Sequence, residues 1–310
     1  MVRRRRPLHW AVYCTMAAAA PRVARPHRRA APAAAFADFP PEFFDLRTRL
    51  IALPALKILL CAPEKNAGTT LHAVAHVANG VARGTQDWTA PTRLPQAAEF
   101  WWAFTPAAAN LSAAAVRRIL RRPPPHHDRW RTAVVWRDPL ERFVSSYESK
   151  CAGGDHDGGI NCEQYFGLEA SPTMEAVATA LLRRREAPCG WNPHWAPQAC
   201  FCGGLSSDFC AYGRRIRFGR DMGPSVHALF EGRVGAATLR EIDAEMREAT
   251  TVPAAKMVVR RKHGGRRGVG GGARNATWAL RTMVAELYAS DYSMLKSGER
   301  CGEGGSGRPP

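Results

Sequence analysis

The amino-acid sequence predicts an α/β fold in which helices flank a parallel β-sheet. Two short apolar runs, "LKILLCA" at residues 56–62 and "RTAVVWRD" at residues 131–138, are each followed by a stretch with helical spacing. Short runs rich in Ile, Leu and Val are typical of strands buried in a parallel sheet. Strands that alternate with helices along the chain indicate this fold class.

The segment after each run has the features of a helix. Residues 69–79 carry apolar side chains at helical spacing, and Asn79-Gly80 ends the pattern. The apolar face consists of Leu71, Val74, Ala75 and Ala78. After the second run, Pro139 suits the first turn of a helix and Asp138 suits its N-cap, so "PLERFVSSYESK" predicts a second helix.

Further helices and one loop are predicted in the rest of the chain. Ser171-Pro172 predicts the start of a helix that runs to Arg185. Thr238 and Glu241 have the spacing of a capping box and predict another helix start. Residues 278–288 predict a last amphipathic helix, and residues 264–272, with six glycines, predict a mobile loop.

Composition divides the 310-residue chain into three parts. These are a basic Ala/Arg-rich leader at residues 1–40, a folded body at residues 41–296 and a Gly/Ser/Pro-rich tail at residues 297–310. The leader fits a weak signal or signal-anchor, an organelle transit peptide or a disordered basic tail. We favour secretory targeting, in which the apolar residues 7–20 would contact the membrane.

The formal net charge of +17 is high, and the first 37 residues, with eight arginines and no acid, account for only part of it. A basic surface indicates an anionic partner, such as nucleic acid, acidic lipid, an anionic glycan or a phosphate-rich cofactor. Residues 260–267 form a basic cluster that would close over a cofactor, attract a glycan or simply be solvated.

The nine cysteines are open to three interpretations. Disulfides in an oxidising compartment are favoured. A zinc site fits less well, because Cys200-Phe201-Cys202 lacks the C-x-x-C spacing of tetrahedral sites, and unpaired thiols are the third alternative. The N-glycosylation sequons at Asn110 and Asn275 agree with a secretory route. The clustered cysteines are Cys151 and Cys162, and Cys189, Cys200, Cys202 and Cys210.

Residues 65–70, "KNAGTT", stand where the first predicted strand meets its helix. Backbone N–H groups at such a junction point at one spot, and the helix dipole favours an anion there. Lys65 would reach the far end of a bound phosphate group, and Thr69 and Thr70 would add hydroxyl donors. The kinase-type loop, in which a lysine follows the last glycine, is absent. An ordinary strand–turn–helix junction is the alternative interpretation.

The second predicted strand leads to Arg137, and Ser145 follows two helical turns later. An arginine at the carboxyl edge of a sheet and a serine on the next helix can share one phosphate. Taken singly, Arg137 fits an ordinary salt-bridging arginine and Ser145 a solvent-facing serine. Taken together with the first motif, they indicate two phosphate sites at two strand ends.

These motifs resemble those of the PAPS-dependent sulfotransferases, in particular the membrane-bound carbohydrate sulfotransferase group. Residues 65–71 resemble the family's 5′-phosphosulfate loop, and "RDPLERFVS" at residues 137–145 is similar to its 3′-phosphate motif. "NPHWAPQACFCG" at residues 192–203 is similar to a His-Trp-x-Pro segment of the family. "LYASDYSML" at residues 287–295 is similar to its Leu-Tyr-x-x-Asp-Tyr ending.

The sequence departs from the family pattern at several points. Glu64 precedes Lys65 where the family usually has proline. Ala67 stands where the family commonly has glycine or another small residue, and we expect this substitution to be harmless. A glycine-rich insertion follows Lys262, and residues 210–235 match the family weakly. Glu64 indicates a loop entrance that differs from the family's, and the weak match at residues 210–235 concerns the acceptor side.

The resemblance implies a P-loop-like nucleotide-binding fold and a metal-free reaction. A sulfuryl group would pass in line from 3′-phosphoadenosine 5′-phosphosulfate (PAPS) to a hydroxyl of a glycan. Lys65 would be a catalytic residue that stabilises the leaving oxygen. Arg137 and Ser145 would hold the 3′-phosphate. The loop residues that would hold the 5′-phosphate, beside Lys65, are Asn66, Ala67, Gly68, Thr69 and Thr70.

The resemblance also implies where the protein acts and on what. It places the body in the Golgi lumen, as a type II membrane or secretory protein, and an organelle is the alternative location. The expected partners are a glycan or another hydroxyl acceptor and a membrane contacted by the leader, without nucleic acid.

A general base must take the proton of the acceptor hydroxyl. His194 is the first choice, with a structural histidine as the equal alternative, and Glu64 is a candidate by proximity. His72 and His76, one helical turn apart, either face the site or point outward, and a metal pair is disfavoured because no third ligand is evident. Trp101-Trp102 would stack on a sugar or belong to the core.

Two other classes of function are the alternatives. A P-loop-like nucleotide kinase or phosphotransferase would use ATP and magnesium, but it needs a lysine after the glycine and an acidic metal ligand, neither of which stands out. A basic nucleic-acid-binding protein is consistent with the charge. It fits less well because no reader motif is evident and few aromatic residues stand beside the basic runs.

Overall fold

The computed structural model describes eight stretches of the chain, and all of them lie in one compact unit, Ala35–Pro310. The described residues are 44–45, 50–80, 103–121, 130–152, 162–168, 172–219, 221–251 and 276–302. The leader, Trp101-Trp102, Asn275, the basic cluster at residues 260–267 and the glycine-rich residues 264–272 lie outside them. The predictions made for those segments stay predictions.

A four-stranded sheet in the order β1-β2-β3-β4 forms the centre of the fold. The strands are β1 (Leu50–Leu53), β2 (Ile58–Cys61), β3 (Arg131–Trp136) and β4 (Arg214–Arg217). β2, β3 and β4 are parallel, so their carboxyl ends lie at one edge of the sheet. The two strands predicted from apolar runs correspond to β2 and β3, and the predicted α/β fold class is confirmed.

Neither outer strand, β1 or β4, was predicted from the sequence. β1 pairs antiparallel with β2, with Leu50 opposite Cys61. Only residues 54–57 separate the two strands, which is too short for a parallel crossover and long enough for a hairpin. β4 reads "RRIR" and buries only Ile216, so it has no apolar run to mark it. The sheet is therefore mixed, with one antiparallel edge strand.

Helices cover both faces of the sheet. In chain order they are α1 (Gly68–Ala78), α2 (Ala113–Arg121), α3 (Pro139–Lys150), α4 (Cys162–Phe166), α5 (Met174–Leu182), α6 (Leu205–Asp208), α7 (Met222–Phe230), α8 (Ala236–Thr251), α9 (Trp278–Leu287) and α10 (Ala289–Glu299). Short 3₁₀ turns occur at Pro188–Gly190, Gln198–Cys200, Phe209–Ala211 and Arg300–Gly302.

The core consists of two apolar layers separated by the sheet. Along β2, Ile58 and Leu60 face the layer that contains α1, α7 and α8, whereas Leu59 and Cys61 face the layer that contains α3, α5 and α9. This alternation follows from the two-residue period of a strand. A strand buried on both faces must be apolar throughout, which explains why β2 was recognisable in the sequence.

The ends of the helices agree only partly with the predictions. Asp138 caps α3 as predicted, because its side chain accepts a hydrogen bond from Glu141 N at 3.0 Å. The helix expected from Ser171 begins later, where Thr173 accepts a bond from Ala176 N at 3.1 Å. The predicted capping box was wrong, since Thr238 already lies inside α8.

Four disulfides confirm the favoured interpretation of the cysteines. The pairs are Cys61–Cys202, Cys151–Cys162, Cys189–Cys200 and Cys210–Cys301. The last pair and α10 extend the folded structure beyond residue 296, the predicted end of the body. Among the described residues, no group of three or more His, Cys, Asp and Glu side chains could hold a metal ion.

We also searched the helices for a membrane-spanning segment. Within the stretches that the structure describes, none combines the length and the apolar character needed to cross a lipid bilayer. The leader, for which a membrane contact was predicted, is outside those stretches.

Candidate active site

The loop between β2 and α1 turns sharply before the helix begins. Lys65 and Ala67 adopt left-handed backbone angles, with φ of 68° and 63°. Asn66 N donates to Pro63 O at 3.1 Å, and no side chain caps the helix that starts at Gly68. The first-turn N–H groups of such a helix need partners from outside, which makes this end suited to an anion. The substitution at Ala67, expected to be harmless, instead falls where glycine is favoured.

The ammonium group of Lys65 is held in a largely buried position. Its Nζ donates a hydrogen bond to Ser149 Oγ on α3 at 2.7 Å. Burial, followed by the positive charges of Lys150 and Arg142, lowers the pKa of Lys65 from 10.5 to about 7, and Glu64 only partly opposes this shift. Lys65 is therefore only partly charged near pH 7, and a bound anion would favour its protonated form.

Arg137 follows β3 and lies against the Lys65 loop. Its Nη1 donates to Lys65 O at 3.2 Å, and its guanidinium carbon lies 4.4 Å from the centroid of the Phe218 ring. Nε is 3.7 Å from a carboxylate oxygen of Glu141. Burial lowers the pKa of Arg137, although nearby carboxylates oppose this. The structure thus brings Lys65 and Arg137 to the same edge of the sheet.

Asn66 points into the protein rather than toward a ligand. Its side chain is fully buried, and Nδ2 donates to Val135 O at 3.0 Å and to Gln198 Oε1 at 2.6 Å. Its backbone N–H is also used, in the turn to Pro63. Among the residues assigned to the 5′-phosphate, Asn66 therefore supports the loop from behind.

Gln198 connects this loop with the end of β3. Its Oε1 also accepts from Arg137 N at 3.0 Å, and its Nε2 donates to Arg137 O at 2.9 Å. Behind it, the buried carboxylate of Asp291 accepts from Gln198 N at 3.0 Å and from Ala199 N at 2.8 Å. Burial raises the pKa of Asp291, while Arg142 and these hydrogen bonds oppose the rise. The result is a continuous buried network from α10 to both loops.

Arg142 joins the loop entrance to the segment that contains His194. Its Nε donates to Glu64 O at 2.9 Å and its Nη2 to Pro193 O at 2.9 Å. One turn along α3, Ser146 Oγ donates to His194 O at 2.6 Å. Arg142 and Ser146 thus fix the backbone of the Pro193-His194 segment, and Arg142 connects it to the entrance of the Lys65 loop.

The other predicted site residues differ in their exposure. Ser145 is partly exposed on α3, Thr69 is exposed and Thr70 is buried at the start of α1. Their hydroxyls make no hydrogen bond to the described part of the chain. His76 packs edge-on against Phe104, with 4.6 Å between ring centroids, so it belongs to the core.

Several residues of this network were not singled out from the sequence. Arg142, Gln198 and Asp291 stand inside the segments that carried the family resemblance, but no role was given to them. Ser149 and Phe218 carried no signal, because a lone serine or phenylalanine is common on any helix or strand end. Polar residues inside otherwise apolar segments were the available hint, since buried polar groups need partners.

Fold and site together define an α/β protein with a phosphate-type loop and a basic second strand end at one edge of a mostly parallel sheet. A model of the sulfotransferase family matches residues 48–296, which is most of the 310-residue chain. The chain belongs to the sulfotransferase family, and it is therefore a transferase of sulfuryl groups. Neither the curated proteins nor the solved structures contain a significant match.

Proposed function

We propose that the protein transfers a sulfuryl group from PAPS to a hydroxyl group of a carbohydrate. The observation that carries this proposal is the contact between two strand ends: Arg137 Nη1 donates to Lys65 O at 3.2 Å. A donor with phosphates at both ends of one nucleoside needs two cationic sites at neighbouring positions. Family membership supports sulfuryl transfer, and the sequence resemblance supports the donor and the carbohydrate acceptor.

The residues at this edge fit such a donor. The uncapped start of α1 offers backbone N–H groups to the 5′-phosphate, and Lys65 supplies a cation at the loop entrance. Arg137 and Ser145 are proposed to bind the 3′-phosphate. That phosphate distinguishes PAPS from ATP.

The proposed reaction is a direct displacement at sulfur. The acceptor oxygen forms a bond to sulfur while the bond between sulfur and the bridging phosphosulfate oxygen breaks. The electron pair of that bond goes to the departing 5′-phosphate, where Lys65 stabilises the growing negative charge. His194 is proposed to take the proton of the acceptor hydroxyl.

We further propose that the protein works in the lumen of the secretory pathway, with the Golgi as the expected site. Four disulfides support an oxidising compartment, since cytosolic thiols are kept reduced. The predicted leader would supply the targeting signal and a membrane contact.

A transfer assay with radiolabelled PAPS tests the activity and the acceptor together. Glycans, phenols and peptides are offered as acceptors, and Lys65→Ala serves as the inactive reference. Label should move to one or more glycans and much less to phenols and peptides. Transfer to phenols or peptides alone would contradict the carbohydrate acceptor, and no transfer to any acceptor would contradict the activity.

Calorimetry separates this proposal from a nucleotide kinase. Adenosine 3′,5′-bisphosphate should bind much more tightly than ATP with magnesium, because only the former carries the 3′-phosphate that Arg137 would hold. Tighter binding of ATP with magnesium would end the proposal.

A further inference from the structure

Within the described residues, the shortest hydrogen bonds between the two loops run through Gln198. They measure 2.6 Å to Asn66, and 2.9 Å and 3.0 Å to the backbone of Arg137. Two direct bonds measure 3.0 Å or more: Asn66 Nδ2 donates to Val135 O, near the end of β3, at 3.0 Å, and Arg137 Nη1 donates to Lys65 O at 3.2 Å. One carboxamide thus bonds to the main chain of one phosphate-type loop and to the buried side chain of the other.

Gln198 is itself held on two sides. The carboxylate of Asp291 accepts from Gln198 N at 3.0 Å and from Gln198 Nε2 at 3.3 Å. Four residues further along the chain, Cys202 is covalently bonded to Cys61, the last residue of β2. Because both attachments are buried, the amide can shift little without breaking a bond in a region that water does not reach.

We propose that Gln198 is a positioning residue that sets the spacing between the 5′-phosphate and 3′-phosphate sites. Its carboxamide is bonded to Asn66, Arg137 and Asp291, so it would act through the two loops rather than on a phosphate directly. The inference rests on the proposed function, because it requires a donor that engages both sites at once.

The spacing matters because affinity increases when two phosphates of one rigid molecule bind at the same time. When two sites are held at the right separation, the second phosphate binds as an intramolecular step at high effective concentration. If the spacing varies, that gain falls although each site still binds its own group. A pre-set spacing also means that the ordering of the loops occurs during folding rather than on binding.

The test compares two ligands that differ by one phosphate. Calorimetry gives the Kd of adenosine 3′,5′-bisphosphate and of adenosine 5′-monophosphate for the wild type and for Gln198→Leu, which keeps the bulk and removes the amide. The ratio of the two Kd values measures the gain from the second phosphate. For Gln198→Leu this gain should fall about tenfold or more, while the Kd of the monophosphate changes by less than about threefold.

Thr132→Val is the matched structural control. Thr132 is a buried polar residue on β3 whose Oγ1 accepts from Gly213 N at 2.8 Å, away from both loops. Loss of this hydrogen bond in Thr132→Val should lower thermal stability without changing the ratio of the two Kd values. If Gln198→Leu does not fold, Gln198→Asn retains the amide but is one methylene too short to reach both loops, and it should show the same loss of gain.

The possible outcomes distinguish the proposed donor from the positioning role of Gln198. A wild type that gains nothing from the 3′-phosphate overturns the proposed donor. A wild type that gains from it, with an unchanged ratio in the Gln198 variants, overturns the positioning role alone. An equal loss of affinity for both ligands also overturns it, because a merely structural residue would produce that result.

Discussion

Lys65 combines burial with a task that requires positive charge. Its low pKa arises because the ammonium is removed from water and faces the cations Lys150 and Arg142. A phosphate in the loop would supply the missing negative charge and raise the pKa again. Donor binding and protonation of Lys65 are therefore coupled, with binding favoured where the proton is already present.

This coupling makes donor binding depend on pH. Since the pKa of free Lys65 is about 7, the Kd of adenosine 3′,5′-bisphosphate should rise by up to about tenfold per pH unit above that value. The phosphates themselves change little there, because their second pKa is near 6. Calorimetry between pH 7.5 and about 9 measures the slope, and repeats in buffers of different ionisation enthalpy measure the proton uptake.

Two variants control this pH measurement. Lys65→Arg keeps its charge throughout the range, so its Kd should depend little on pH. Lys150→Arg fixes the charge of the neighbouring lysine and should retain the wild-type slope. If the slope persists in Lys65→Arg and disappears in Lys150→Arg, Lys150 takes up the proton and our assignment to Lys65 is wrong.

Removal of Arg137 should weaken donor binding more than it disturbs the fold. In Arg137→Ala the Kd of adenosine 3′,5′-bisphosphate should rise by at least about tenfold, since a hydrogen bond to a charged group is worth about 1.5–3 kcal/mol. Ser145→Ala should show a smaller rise. The exposed Arg118→Ala is the matched control, and wild-type affinity in Arg137→Ala would remove Arg137 from the site.

His194 is tested by its effect on the pH profile. If its imidazole takes the acceptor proton, His194→Asn should lower kcat by about 10²–10⁴-fold and remove the acidic limb of the profile, with the donor KM unchanged. His227→Asn is the control, because His227 Nδ1 lies 2.8 Å from Asp243 between α7 and α8. An acidic limb that persists in His194→Asn would shift the assignment to Glu64.

At the scale of elements, the strands and helices that could be predicted are those with a pattern in their own sequence. β2 and β3 are buried on both faces and therefore apolar, and both helices have apolar periodicity and one local end signal, Asn79-Gly80 after α1 and Asp138 before α3. β4 was not predicted because its arginines are exposed. Its position depends on pairing with β3, and no local sequence pattern encodes that pairing. The same limit applies to the site, where both loops were visible but their connection through Gln198 was not.

The junction of α10 with the turn at Phe209–Ala211 depends on a glycine. A Cβ on Gly298 would collide with the Phe209 ring. Gly298→Ala should therefore destabilise the protein by about 1–3 kcal/mol, measured by urea unfolding. The matched helical glycine is Gly223, where a Cβ would meet Met246 at an ordinary 3.9 Å. Gly223→Ala should be neutral or stabilising by up to about 1 kcal/mol, and equal losses in both variants would contradict the argument from packing.

At the scale of the whole molecule, the disulfides connect parts of the chain that are far apart in sequence. Cys61–Cys202 spans 141 residues and Cys210–Cys301 spans 91. Bridges over long loops restrict the unfolded chain strongly, so the folded body should depend on oxidising conditions. Cysteine positions could suggest disulfides but not their pairing, because the pairing depends on which strands and turns become neighbours.

The sequon at Asn110 turns the proposed secretory location into a measurable property. Asn110 is exposed in the turn before α2, and Ser112 is exposed as well. A glycan attached there would extend into solvent without displacing a packed side chain, as a surface sequon requires. Expressed with its own leader in a eukaryotic cell, the protein should gain gel mobility on treatment with an N-glycosidase.

Single and double replacements assign that change in mobility. Asn110→Gln should remove one glycan, Ser112→Ala should do the same because it destroys the sequon, and Asn275→Gln controls for the second sequon. The disulfides are read in parallel by alkylation before and after reduction. Because both modifications require the same compartment, they should occur in the same molecules. A protein with intact disulfides but without a glycan at Asn110 would contradict the glycosylation, and one with neither would contradict the secretory route.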